Sequence, residues 1–182
     1  SLSILTFSDN SQLEIIGGGY SAGDAYGAFY GCVKLTTINI PSSVVSIEAS
    51  AFKDCKSLSI LTFGENSKLE IIGGGYYGLS EIAYGAFAGC ESLVSLIIPS
   101  CVTNIESWAF YNCANLKEVT IENGLTKLDE AIFKDCKKLE SIVIPTSITY
   151  IDNSSFSNCI SLKNIYYTGS KENWETLISF VN

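Results

Sequence analysis

Apolar residues return along this chain at fixed intervals, and the interval changes within each unit. From Leu35 the apolar positions are Ile38, Ile40, Val44, Ile47, Ala51 and Phe52. Ile38-x-Ile40 is a short period-two pattern and predicts a strand. Pro41 ends that strand, because proline has no N–H to give to a ladder. Val44-x-x-Ile47 predicts a second short strand, and Ala51-Phe52-x-x-Cys55 suits a helical turn. The same series runs from Leu93 through Leu96, Ile98, Pro99, Val102, Ile105, Ala109 and Phe110. The next unit carries Glu122 in place of the proline and Ile132 in place of the alanine. The one after it returns to Ile144-Pro145, with Ser155 before Phe156.

The cysteines give the period. Cys32, Cys55, Cys90, Cys113, Cys136 and Cys159 are separated by 23, 35, 23, 23 and 23 residues. A Phe stands three residues before each, from Phe29 to Phe156, and a Leu three residues after each, from Leu35 to Leu162. A unit of 23 residues cannot bury both sides of its own strand, whereas stacked copies can. The pattern therefore predicts an α/β, β-rich repeat solenoid of about seven coils, counting an incomplete one from Leu2. Residues 1–161 form the array of a single domain spanning 1–182, and residues 162–182 supply the last strand and a cap.

Two coils are longer. Leu13-Glu14-Ile15-Ile16-Gly17-Gly18-Gly19-Tyr20 recurs as Leu69-Glu70-Ile71-Ile72-Gly73-Gly74-Gly75-Tyr76, so a two-coil block reads as duplicated. The extra residues, 17–27 and 73–85, hold ten of the 15 glycines and five of the ten tyrosines, and they are read as flexible insertions. Near the other end Ser170 suits an N-cap, and Trp174, Leu177, Ile178 and Val181 fall on one helix face. This predicts a helical C-terminal cap. Nothing comparable stands at Ser1, so the array reads as cut from a longer protein, with an N-terminal end open to self-association.

Composition then narrows the chemistry. The chain has no His, which removes Ser-His-Asp and Cys-His catalysis and His-bearing zinc sites. Its net charge of -8 opposes a phosphate backbone, so no nucleic-acid partner is expected. No apolar run is long enough to enter and span a membrane. Gly73-x-Gly75-x-x-Gly78 formally matches a dinucleotide fingerprint, but the run returns to another A-F-x-x-C turn within about a dozen residues and lacks the βαβ context the fingerprint needs. No catalytic residue, cofactor or metal is assigned. Six cysteines at one repeat position stack in a column facing the core, where they act as free, buried thiols. Cys101, just after Pro99, is the exposed exception. Asn153-Ser154-Ser155 fits a glycosylation sequon, a pattern common by chance.

The unit resembles the leucine-rich repeat in its BspA-like subclass. The matching pieces are L-x-x-I-x-I-P, V-x-x-I and A-F-x-x-C, as in Leu35 to Cys55 and Leu93 to Cys113, and the closing Tyr166-Tyr167-Thr168-Gly169-Ser170 followed by Trp174. The resemblance covers essentially the whole chain. It implies a protein that is secreted or exposed at the surface of a host-associated bacterium or a parasitic protist, an adhesive role, and no shared catalytic residues.

Candidate partner-binding residues follow from two features. The Gly-Tyr insertions offer Tyr20, Tyr26, Tyr76, Tyr77 and Tyr84, aromatic area on adaptable backbone. The outward positions of the main strands include Ile4, Ile60, Thr62 and Ile97, with Glu118 the only charged one. A weakly charged face with exposed Ile suits a protein or glycan partner at a cell surface. The reading from another class is a structural spacer or self-associating module with no ligand of its own.

Overall fold

The computed structural model describes residues 2–8, 10–21, 24–75 and 84–178, with the side chains of residues 20, 21, 24 and 25 left outside that description. The chain opens its regular structure at Ile15–Ile16 (β1), and a hairpin of Gly18–Ser21 (β2) and Asp24–Gly27 (β3) follows. Four-residue and two-residue strands then alternate: Thr37–Ile40 (β4), Ser46–Ile47 (β5), Ile60–Phe63 (β6), Ile71–Ile72 (β7), Ser95–Ile98 (β8), Asn104–Ile105 (β9), Glu118–Ile121 (β10), Lys127–Leu128 (β11), Ser141–Ile144 (β12), Tyr150–Ile151 (β13) and Asn164–Tyr167 (β14). Helix α1 spans Lys171–Ile178. Each I-x-I segment is thus a long strand and each V-x-x-I segment a short one, as the periodicity predicts.

Every stacked pair is parallel and in register. Ile38 pairs with Leu61 in β4 and β6, and Leu96 with Val119 and Ile142 across β8, β10 and β12. This makes a β-solenoid of about five turns. The repeat pattern predicts about seven coils. The difference lies mostly at the first: residues 2–8 form no strand. Leu5 and Phe7 pack against the core, but a cleft separates this segment from β4, so no ladder holds it extended.

Inward columns build one core. The rings of Phe29, Phe52, Phe87, Phe110, Phe133 and Phe156 stack face to face, with centroids 5.1, 5.2, 5.4, 5.7 and 5.9 Å apart. Beside them the thiols form a second ladder. Cys55, Cys90, Cys113, Cys136 and Cys159 each donate S–H to the carbonyl of the Phe one coil back, at 3.1–3.4 Å. All seven cysteines are free. Burial pushes the Cys55 and Cys159 thiols up to about 12 and those of Cys90 and Cys136 well above the ordinary thiol range. Cys32 is half-buried, so the column is not uniformly sealed.

The A-F-x-x-C segment is a run of tight turns rather than a helical turn. In the coil of Phe52, Ala51 N–H donates to Glu48, Lys53 to Ser50 and Cys55 to Phe52. Ser50 and Asp54 sit at φ 63° and 58°, a handedness that cannot propagate a right-handed helix.

The first insertion is a β-hairpin, not a loose loop. Gly18 and Gly27, Gly19 and Tyr26, and Tyr20 and Ala25 pair antiparallel. Its base lies flat on the next coil: a Cβ at Gly18 would strike the Ala49 carbonyl, and one at Gly27 the Ser50 carbonyl. Gly74 and Gly85 lie equally close to Ser107 and Trp108 in the second insertion. The glycines therefore permit close backbone packing, and residues 76–83 of the second insertion lie outside the described residues.

The helix caps one side only. Ser170 is its N-cap, its Oγ accepting from the Asn173 N–H at 3.2 Å. Trp174 tilts over Tyr167, and Leu177 is buried. Ile178, expected on the same face, is exposed, and Val181 lies outside the described residues. Ile165 occupies the inward position of the last main strand, yet it is 41% exposed. The helix contacts β13, and among the described residues no strand pairs with the outer edge of β14.

Candidate partner-binding face

The long strands present alternate residues outward because a strand's side chains alternate in direction. Ile60 is 54% and Ile97 59% exposed, and Thr62 is exposed between them, while Leu61, Leu96 and Ile98 are buried. Most of the other predicted outward positions also lie on this face, with Thr120, Ser141 and Val143 half-buried.

The main sheet is not continuous. β4 pairs with β6, and β8, β10, β12 and β14 form a second ladder, but no ladder joins β6 to β8. Between them opens a cleft of about 520 Å³ lined by Ile60, Thr62, Phe63, Ile97, Pro99 and Cys101, with Glu122 at its rim. The long second insertion falls in the same coil, between β7 and Phe87. On the short-strand side the stack is unbroken here, since β5, β7 and β9 pair in order. The coils thus stay joined on one side and part on the other.

A second cleft, of about 660 Å³, lies between residues 4–8 and β4. It occurs at the equivalent coil of the duplicated block, next to the first insertion. The two clefts share Ile60, Thr62 and Gly64 and so meet over β6. The second is lined by Ile4, Thr6, Asn39 and Glu65 among others. The structure therefore brings Ile60, Thr62 and Ile97 together, and adds Phe63, Cys101, Glu65 and Glu122. Glu122 was legible as the residue replacing a proline, whereas Cys101, expected to be the exposed cysteine, is half-buried like Cys32. The parting of the ladder had no sequence signal beyond the long coil that accompanies it.

The tyrosines divide differently. Tyr26, on β3, is 55% exposed. Tyr20 lies on β2, its side chain outside the described residues, as Tyr76 and Tyr77 are altogether. Tyr84 is a correction: it is fully buried. Its N–H donates to the Gly75 carbonyl and its carbonyl accepts from the Ser50 N–H, so the returning end of the insertion is part of the stack. Among the described residues of this hairpin, none lines either cleft. The hairpin leaves from the short-strand side, so the Tyr hairpin and the sheet face are separate surfaces.

The glycine runs also find an internal partner. Glu48 Oε2 accepts from the Gly18 N–H at 2.9 Å, and Glu106 Oε2 from the Gly74 N–H at 2.8 Å. A carboxylate from the next coil takes the amide that a bound phosphate would need, which leaves the dinucleotide pattern without support.

The sequence profile of the BspA type leucine-rich repeat region matches residues 25–80 and 75–178, with six copies. A leucine-rich repeat protein of Bacteroides ovatus is 27% identical, with a TM-score of 0.52, over 84% of this chain and 44% of its own. The leucine-rich repeat protein of T. pallidum is 26% identical, with a TM-score of 0.53, over 75% of this chain and 69% of its own. One from Eubacterium ventriosum reaches a TM-score of 0.61 at 24% identity, over 72% of this chain and 32% of its own, and shares the fold. The chain thus spans about a third to under half of two of these relatives. A comparison with curated proteins gives no significant match. With in-phase copies across the array and the Phe and Cys columns they build, the chain belongs to the BspA-type leucine-rich repeat family.

Proposed function

We propose that this chain is a non-enzymatic binding module of a cell-surface or secreted protein, and that it holds a partner protein or glycan on the face of its main sheet. The observation that carries this reading is the pair of joined clefts over β6, open where stacking alone would have closed the ladder. Exposed Ile60 and Ile97 supply apolar area there, and Thr62 and Asn39, hydrogen-bonded to each other at 2.9 Å, supply a fixed polar contact. A folding unit gains nothing from leaving two isoleucines in water at the mouth of a gap.

The test is adhesion of the purified chain to immobilised matrix proteins and mucin, beside an Ile60→Asp/Ile97→Asp variant. Outward residues add little to the core, so the variant should keep its melting temperature. Its binding should weaken by about 1–3 kcal/mol. Undiminished binding by the variant moves the site to the Tyr26 hairpin. An inert chain that assembles into filaments replaces the proposal with the spacer reading.

A further inference from the structure

We infer that the pocket between helix α1 and the last coil is a second binding site, one that takes a single neutral pyranose ring such as the terminal hexose of a glycan. It shares no lining residue with the joined clefts over β6. It therefore stands whether or not the main-sheet face binds a partner.

Three pieces of chain build the pocket. Residues 145–149, which join β12 to β13, supply Thr146, Ile148 and Thr149. Tyr167 comes from the end of β14, and Asn173 and Leu177 come from α1, four residues apart and so on one helix face. The cavity measures about 260 Å³. Drug-sized ligands fill pockets of about 300–1,000 Å³, so this one suits a ligand of one small ring. Its floor is apolar, because Ile148 and Leu177 are buried there. The Tyr167 ring is held on two sides. Trp174 lies against it with centroids 5.5 Å apart, and Gly169 packs so close that a Cβ would strike the ring.

The rim is polar and uncharged. Thr149 Oγ donates to the Thr126 carbonyl at 3.1 Å, and Thr146 Oγ to Asn123 Oδ1 at 3.4 Å. Each hydroxyl has only one proton, and it is committed to the preceding coil, so toward a ligand these groups act as acceptors. The exposed Asn173 side chain adds a carboxamide, with an acceptor oxygen and two donor N–H groups. No charged side chain lines the pocket.

These features select a neutral sugar. A pyranose has apolar C–H faces for the Ile148–Leu177 floor and the Tyr167 ring, and hydroxyl donors around its edge for the threonine oxygens. A purely apolar group would leave those oxygens without donors. A charged group would find no counter-ion, and an anionic sugar would also meet a chain of net charge -8.

The experiment is saturation-transfer difference NMR on the whole chain, with the methyl glycosides of galactose, glucose and mannose as probes and N-acetylneuraminic acid as the anionic comparison. At least one neutral glycoside should receive saturation and titrate at millimolar concentration, and N-acetylneuraminic acid should not. Affinity for the bound glycoside should fall about fivefold in Thr149→Val and in Asn173→Ala, since each removes one hydrogen-bonding group. Both side chains are exposed, so both variants should melt with the parent. Ile60→Asp/Ile97→Asp should bind the glycoside as the parent does. Saturation transfer to none of the neutral glycosides overturns the proposal, as does equal transfer to N-acetylneuraminic acid. Undiminished affinity in Thr149→Val and Asn173→Ala also overturns it. Affinity lost only in Ile60→Asp/Ile97→Asp overturns it too, and moves the sugar to the main-sheet face.

Discussion

One residue before each column cysteine stands Gly31, Asp54, Gly89, Asn112, Asp135 or Asn158, and all six have φ between 54° and 74°. Only Gly, Asn and Asp occupy the position, the three types that tolerate a left-handed backbone most readily. The turn that carries Phe into the core needs this bend, so the column is a backbone requirement written in sequence. Asn112→Gly should therefore be nearly neutral, while Asn112→Val should cost about 1–3 kcal/mol in denaturant melts. Equal melts for the two variants would remove the left-handed requirement. A second consequence concerns the thiols. In the unfolded chain they titrate near 9.0, and in the native core Cys55 and Cys159 titrate at about 12. The native state thus keeps protons that the unfolded state gives up. Stability is unaffected below pH 9 and falls as pH rises from there toward 12, by no more than about 1.4 kcal/mol per pH unit for each such thiol. Melting temperature against pH should show this fall, and Cys55→Ala should soften it. An identical alkaline fall in Cys55→Ala would assign it to other groups. Under native conditions a thiol reagent should reach half-buried Cys101 and Cys32 before the other five.

At the scale of the element, the Phe stack and the cap carry separate tests. Phe110 lies between Phe87 and Phe133 at 5.4 and 5.7 Å and is fully buried, so Phe110→Ala should cost about 3–5 kcal/mol. A melt within a degree or two of the parent would contradict its core assignment. Ending the chain at Gly169 removes Trp174 from Tyr167 and Leu177 from the end of the core, and should lower the melting temperature or cause aggregation. An unchanged monomer would deny α1 its role as a cap. These elements were legible because each answers to one periodicity: two for the long strands, 3.6 for α1, and the coil repeat for Phe and Cys. What the sequence hid depends on contact between coils. Tyr84 reads as part of a Gly-Tyr loop, yet the backbone of Ser50 and Gly75 draws it into the stack. Gly18 and Gly27 read as flexibility, yet they are small because the Ala49 and Ser50 carbonyls lie against them. Ile60 and Ile97 were legible as outward, but the cleft between them exists only through a hydrogen-bond ladder that fails to form. Local composition carries no trace of that failure.

At the scale of the molecule, the two breaks in the stack are staggered. The long-strand ladder parts between β6 and β8, and the short-strand ladder between β9 and β11. At the first break the stack is still spanned by β7 with β9 and by Phe87 against Phe110. At the second it is spanned by β8 with β10 and by Phe110 against Phe133. No plane cuts every column at once. In a linear array, stability is a sum of unit and neighbour terms, and cooperativity survives as long as each interface keeps enough of its neighbour energy. The staggered breaks should therefore leave a single unfolding transition, with a cleft tolerated at no loss of unity. The two tryptophans allow a check. Trp108 packs on Ala88, Ala131 and Tyr111 in the middle of the array, with Lys134 over its ring, and Trp174 sits in the cap. Trp174→Phe leaves Trp108 as the reporter of the middle, and Trp108→Phe leaves Trp174 as the reporter of the end. In each variant, fluorescence and far-ultraviolet circular dichroism should trace one coincident transition, the test of two-state behaviour. Adding Phe110→Ala should move both reporters together. A fluorescence transition at Trp174 that precedes or trails the dichroism would mean that a break does divide the solenoid, and that the main-sheet cleft lies at the border of two independently melting blocks.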